Sequence, residues 1–174
     1  MRAFISVELP EGIKKKIFKA TAEMRAIESG VKWVEEQNLH LTLKFLGSIE
    51  GRDLLKAVSL AEEAAKGFNG FKIRFEGLGS FPEDSPPRIL WVGISEGGEN
   101  LKRIAESLGN REFSAHLTIG RVKDKGVDEV KSKMAGIHGF SFGEMAVDSI
   151  NIMKSTLTQK GPVYENYRRI VLGR

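Results

Sequence analysis

The sequence predicts a mixed α and β chain built as two copies of one unit, related by a pseudo-two-fold and facing each other across a single cleft. Two observations carry this. An order of strand, helix, strand, helix, strand runs from the N-terminus and restarts near Ile89. The third element of each copy holds the same short signal, His40-Leu41-Thr42-Leu43 in the first and His116-Leu117-Thr118-Ile119 in the second. With 174 residues and 41% hydrophobic content, the chain is long enough to bury a sizeable core as one domain.

Each element follows from local pattern. Phe4 to Leu9 has strand character, and Pro10-Glu11-Gly12 closes it. From about Gly12 to Glu28, Ile13, Ile17, Phe18, Ala20, Met24 and Ile27 recur at helical spacing, with a lysine-rich face opposite. Val31 to Val34 leads into the first His-x-Thr strand, about Asn38 to Leu46, which Gly47 ends. A second amphipathic helix spans Asp53 to Phe68, and Phe71 to Phe75 alternates as a half-buried strand. The stretch Leu78 to Arg88, with Gly79, Pro82, Pro86 and Pro87, reads as a loop joining the halves. In the second copy Ile89 to Ile94 is a strand, and Leu101, Ile104, Ala105 and Leu108 mark a helix. The second His-x-Thr strand covers about Ser114 to Val122, a helix Val127 to Ile137, and one long strand Phe142 to Met153. The copies therefore occupy roughly 1–77 and 88–153. An extension, 154–174, adds a turn at Lys160-Gly161-Pro162 and a last strand from Tyr164 to Leu172.

Composition narrows the chemistry. Cysteine is absent, which excludes disulfides, thiolate metal sites and a cysteine nucleophile. A formal charge of +4 favours an anionic partner, but 23 acidic residues are mixed among 27 basic ones, so the chain is no polybasic arm. The N-terminal stretch lacks the length of a signal-peptide core, and no apolar run is long enough to span a bilayer, so a cytoplasmic protein without a membrane partner is expected. Few glutamines, no cysteine and abundant Lys and Glu point to a thermophilic source.

Residues two apart on a strand share a face, so in each copy the imidazole and the hydroxyl point the same way while the intervening apolar side chains enter the core. Histidine gives or takes a proton near neutral pH, and threonine can donate to a phosphoryl oxygen. Two such faces can enclose one phosphate and need no metal. With three histidines and five threonines in the chain, a given histidine has only about a 3% chance of a threonine two residues on, so the duplication is informative where one copy is not.

On these motifs, and on the blocks MRAFISVELP, VKWVEEQNLHLTLKFLG, PPRILWVGI, FSAHLTIGRVK and STLTQKGPVYE in this order, the chain resembles the 2H phosphoesterase superfamily. It is most similar to the LigT-like RNA 2′,3′-cyclic phosphodiesterases, also called 2′-5′ RNA ligases. Ala115 stands where many relatives carry proline, and Gly120 where alanine is common; both bear on backbone stiffness more than chemistry. The resemblance implies a two-lobed α+β fold, with antiparallel sheets lining a central groove and helices on the outer faces. It implies metal-independent opening of a 2′,3′-cyclic phosphate to a 2′-phosphate. His40 and His116 are then the catalytic acid/base pair, and Thr42 and Thr118 bind the phosphate oxygens and stabilise developing charge. His116 is taken as the base and His40 as the acid, although the sequence itself is symmetric.

Phe45 and Arg121 each follow a histidine by five residues, and a ring and a guanidinium plane can clasp a nucleobase. Strict alternation instead turns Phe45 away from His40 and into the core, so the clasp requires a twist or a bulge. Lys44, in phase with His40 and Thr42, is a further phosphate candidate; Ser155 and Tyr164 are candidates for the groove's border. His138 lacks the threonine and is given no role. No cofactor and no metal ligands are expected. The implied partners are RNA ends or nucleotides bearing a 2′,3′-cyclic phosphate, tRNA fragments among them, with the protein a monomer. Two alternatives stand beside hydrolysis: joining of such an end to a 5′-hydroxyl through a 2′-5′ linkage, and a noncatalytic RNA-end-binding module. Binding alone would be served better by arginine or lysine than by paired histidines.

Overall fold

A computed structural model describes residues 1–83, 86–124 and 126–173. The elements in chain order are β1 (Arg2–Glu8), α1 (Glu11–Ala20), α2 (Ala22–Arg25), β2 (Val31–Trp33), a 3-10 turn (Glu36–Asn38), β3 (His40–Ser48), α3 (Gly51–Lys66), β4 (Phe71–Phe81) and β5 (Ile89–Glu96), then α4 (Gly98–Ser107), β6 (His116–Val122), α5 (Asp128–Gly136), β7 (Ser141–Val147), β8 (Ser149–Thr158) and β9 (Gly161–Val171). All strand pairs are antiparallel. One sheet has the order β3-β1-β8-β9 and the other β2-β6-β5-β4-β7. This is the expected α+β architecture of two antiparallel sheets.

The halves are interlocked by an exchange the sequence does not announce. In the first half, β1 and β3 pair in one sheet, but β4 lies in the other sheet between β5 and β7, and the short β2 joins it there beside β6. The second copy reciprocates: β5 and β6 pair together, while β8 crosses back to lie between β1 and β9. Each sheet therefore holds strands from both copies. A continuous core of buried side chains follows, from Ile5, Leu41 and Leu43 to Phe75, Leu117, Ile119 and Ile152. The apolar faces of the helices close this core. Ile13 and Ile17 of α1, Leu54 and Ala61 of α3, Leu101 and Ile104 of α4, and Val130 of α5 are all buried.

Three local expectations are corrected. The helix expected over 12–28 breaks at Thr21, whose buried hydroxyl donates to the Ile17 carbonyl at 2.9 Å and accepts from Arg25 Nε at 3.0 Å; such back-bonding bends and interrupts helices. The single strand expected from Phe142 to Met153 is two strands, because the chain leaves one sheet at Val147 and enters the other at Ser149. The loop expected over 78–88 begins late. β4 continues to Phe81, and Gly79 lets the Trp91 ring lie where a Cβ would stand, 2.2 Å from the nearest ring atom. Within that loop Asp84 and Ser85 lie outside the described residues, as does Arg174 of the C-terminal extension.

Candidate active site

A cavity of about 630 Å³ opens between the two sheets, and His40, Thr42, His116 and Thr118 all line it. β3 and β6 deliver them by the same device. The apolar partners of each motif, Leu41, Leu43, Leu117 and Ile119, are fully buried, which pins each strand's register and leaves its His-x-Thr face to the cavity.

Both imidazoles are held alike. His40 Nδ1 lies 2.6 Å from the Asn38 carbonyl and His116 Nδ1 lies 2.7 Å from the Ser114 carbonyl, two residues upstream in each case. A carbonyl only accepts, so Nδ1 carries the proton and Nε2 keeps its lone pair in the neutral ring. Aromatic rings fix the planes: Phe4 and Tyr164 flank His40 at centroid distances of 4.8 and 5.1 Å, and Phe81 meets His116 edge-on at 5.2 Å. Burial pushes both imidazoles below the ordinary histidine pKa, against the raising effect of the carbonyl bonds. The Arg121 charge lowers both further, and Lys14 adds to this at His40.

Phe45 and Arg121 also line the cavity, and the reason is a pair of matched bulges. Against β1, residue Ser6 pairs with Thr42 and Ile5 with Lys44, so Leu43 is left over. Against β5, Trp91 pairs with Thr118 and Leu90 with Gly120, so Ile119 is left over. Each bulge falls three residues after its histidine and reverses the alternation, which brings the fifth residue back to the histidine's face. Phe45 is 68% exposed, so it is a cavity wall and not core. The same reversal removes Lys44 from the phosphate face; its amine donates to the Leu108 carbonyl at the end of α4. Gly120 is explained by β2, since a Cβ there would meet Val31 at 2.9 Å and the Trp33 ring at 3.1 Å.

Ser155 and Tyr164 pair across β8 and β9 and border the cavity as expected, and burial raises the Tyr164 pKa. His138 lies away from the cavity, in a shallow surface hollow with Leu78 and Met134. Sequence reasoning missed Asn110, Leu157 and Arg2 on the cavity wall, and the packing of Phe4 and Phe81 on the imidazoles. The aromatic positions were legible only as strand residues. Among the described residues no group of three or more His, Asp or Glu side chains gathers to hold a metal, and no helix is long and apolar enough to cross a membrane.

Two imidazoles and two hydroxyls thus line one cavity, carried by β3 and β6 in two different antiparallel sheets. The sequence pattern described as LigT like Phosphoesterase matches residues 7–91 and again 92–164, and the chain belongs to that family. It is similar to the RNA 2′,3′-cyclic phosphodiesterase of Archaeoglobus fulgidus, 40% identical over 97% of this chain and 98% of the relative. The enzyme of the same name from Methanocaldococcus jannaschii is 35% identical over 95% and 97%. Among solved structures, one from Thermus thermophilus superposes with a TM-score of 0.82 at 28% identity, covering 99% of this chain and 98% of that one. The LigT of E. coli shares the fold, with a TM-score of 0.81 at 23% identity and coverage of 99% and 98%.

Proposed function

We propose that this protein hydrolyses RNA-terminal 2′,3′-cyclic phosphates to 2′-phosphates, by acid/base catalysis between His40 and His116 without a metal ion. The observation that carries the reading is the matched engagement of both Nδ1 atoms by carbonyls, in one cavity, with a threonine beside each ring. The names of the relatives from Archaeoglobus fulgidus and Methanocaldococcus jannaschii support the substrate class.

In the proposed reaction a neutral imidazole takes a proton through Nε2 from water, whose oxygen bonds to phosphorus. The bond from phosphorus to O3′ breaks, and the opposite imidazolium delivers its proton to O3′. Thr42 and Thr118 donate to the non-bridging oxygens, where charge accumulates in the transition state. Phe45 and Arg121 hold the base of the terminal nucleotide. The test is incubation with a nucleoside 2′,3′-cyclic phosphate, with the product resolved from its isomer. The 2′-phosphate is expected; no turnover, or the 3′-phosphate, overturns the reading.

A further inference from the structure

The two bulges are each fastened by the opposite half of the chain, from equivalent positions. Val34 stands six residues before His40, and its backbone N–H donates to the carbonyl of Ile119, the bulge residue of the second motif, at 2.9 Å. Asn110 stands six residues before His116, and its side-chain amide donates to the carbonyl of Leu43, the bulge residue of the first motif, at 2.8 Å. The two bonds start from the same offset before each histidine and end on the bulge residue of the other motif.

Their chemistry differs. On the Ile119 side the pre-motif segment is a true strand, since β2 pairs with β6 through Val31, Lys32 and Trp33, and the Val34 bond extends that ladder. Arg25 in turn donates to the Val34 carbonyl at 2.7 Å, so this peptide is held from both sides. On the Leu43 side β3 is the edge of its sheet, and no strand among the described residues covers it. Two side chains stand in for it: the Lys44 amine on the Leu108 carbonyl and the Asn110 amide on the Leu43 carbonyl. Asn110 is itself placed by the end of α4. Gly109 adopts a φ of +88°, its N–H bonds to the Glu106 carbonyl, and the Asn110 N–H reaches back to the Ala105 carbonyl at 2.8 Å. This is a Schellman ending, which a residue with a Cβ forms poorly at the glycine position.

We propose that Asn110 is a positioning residue for nucleobase recognition: its amide locks the Leu43 bulge and so aims Phe45, supplied by the other half of the chain, into the cavity. The reciprocal bond from Val34 uses the backbone and tolerates any residue but proline. The bond from Asn110 exists only with a side-chain donor of that reach. Base recognition is therefore bolted by backbone at Arg121 and by side chains at Phe45, of which only Asn110 holds the bulge carbonyl itself.

This rests on the reading of the cavity as a nucleotide site, so the test has an arm independent of turnover. Amide hydrogen exchange of Phe45 and Leu46 should accelerate about tenfold or more in Asn110→Ala, as expected when a local opening loses one hydrogen bond. Asn110→Asp, which keeps the shape but not the donor, should do the same, and it carries the test if the alanine variant does not fold. In kinetics Asn110→Ala should raise KM for a nucleoside 2′,3′-cyclic phosphate roughly five- to twentyfold with kcat changed less than about twofold. The double variant Phe45→Ala/Asn110→Ala should match Phe45→Ala alone within about twofold, because a residue acting through Phe45 has nothing left to aim. Unchanged exchange in both variants overturns the proposal. So do KM effects that multiply in the double variant, since Asn110 would then contact substrate directly. If the wild-type protein turns over no cyclic phosphate, the functional reading fails while the exchange result still decides the role of Asn110.

Discussion

His40 and His116 each commit Nδ1 to a carbonyl and offer Nε2 to a shared cavity, so each is expected to be required and neither to act alone. His40→Ala and His116→Ala should each lower turnover about 10²- to 10⁴-fold with the fold retained, and the double variant should lose little more than either. Full activity in a folded single variant removes that residue from the mechanism. The pH dependence follows from the lowered pKa values. In the free protein the base must be neutral and the acid protonated, and burial depresses both groups, so both limbs of the kcat/KM profile move down. The maximum should lie below the ordinary histidine value of about 6.5. A bound cyclic phosphate monoanion favours imidazolium, so the kcat profile should peak at higher pH than kcat/KM. A kcat/KM optimum above that ordinary value would contradict this electrostatic account. At this scale the sequence was fully legible for the His-x-Thr residues, because two residue types at fixed spacing on a strand declare their own geometry.

Elements tell a different story, because Phe45 became interpretable only through a bulge. Leu43 and Ile119 look like ordinary core-facing strand residues, and nothing in their type marks them as unpaired. Strict alternation therefore misplaced both Phe45 and Lys44. The same limit hid the break at Thr21, where a hydroxyl bond competes with helix, and the change of sheet at Asp148, where only the polar pair Asp148-Ser149 interrupts the apolar pattern. The exposure of Phe45 separates its two readings experimentally. Phe45→Ala should cost less than about 1 kcal/mol of stability, as for a surface position, yet raise KM for a nucleotide more than it lowers kcat. A cyclic phosphodiester lacking a base should respond far less. Arg121→Ala should impair both substrates, since its charge reaches both imidazoles. Equal KM effects of Phe45→Ala on the two substrates would end the stacking role.

For the whole molecule, the interlocking of the halves was not legible, since strand exchange depends on pairings between residues such as Phe4 and Met153 that no local pattern encodes. The duplication also bears on metal dependence. The cavity is lined by two like pairs of groups, and among the described residues no three His, Asp or Glu side chains gather to hold a metal. Turnover of a cyclic phosphate should accordingly survive excess chelator; its loss to chelation and recovery with a divalent ion would refute the acid/base reading.

The exchange of β4 and β8 also governs the order in which a growing chain can be completed on the ribosome. β1 is synthesised first, yet its free edge is covered only by β8, at Ser149–Thr158, and the sheet is finished only by β9, which ends at Val171. Until then the first-made strand carries an open hydrogen-bonding edge beside the apolar Phe4 and Ile5. Such long-range pairing closes slowly and exposes the nascent chain to association. Truncation before Ser149 should therefore yield aggregated protein and not a smaller soluble domain, as sedimentation of the shortened chain would show.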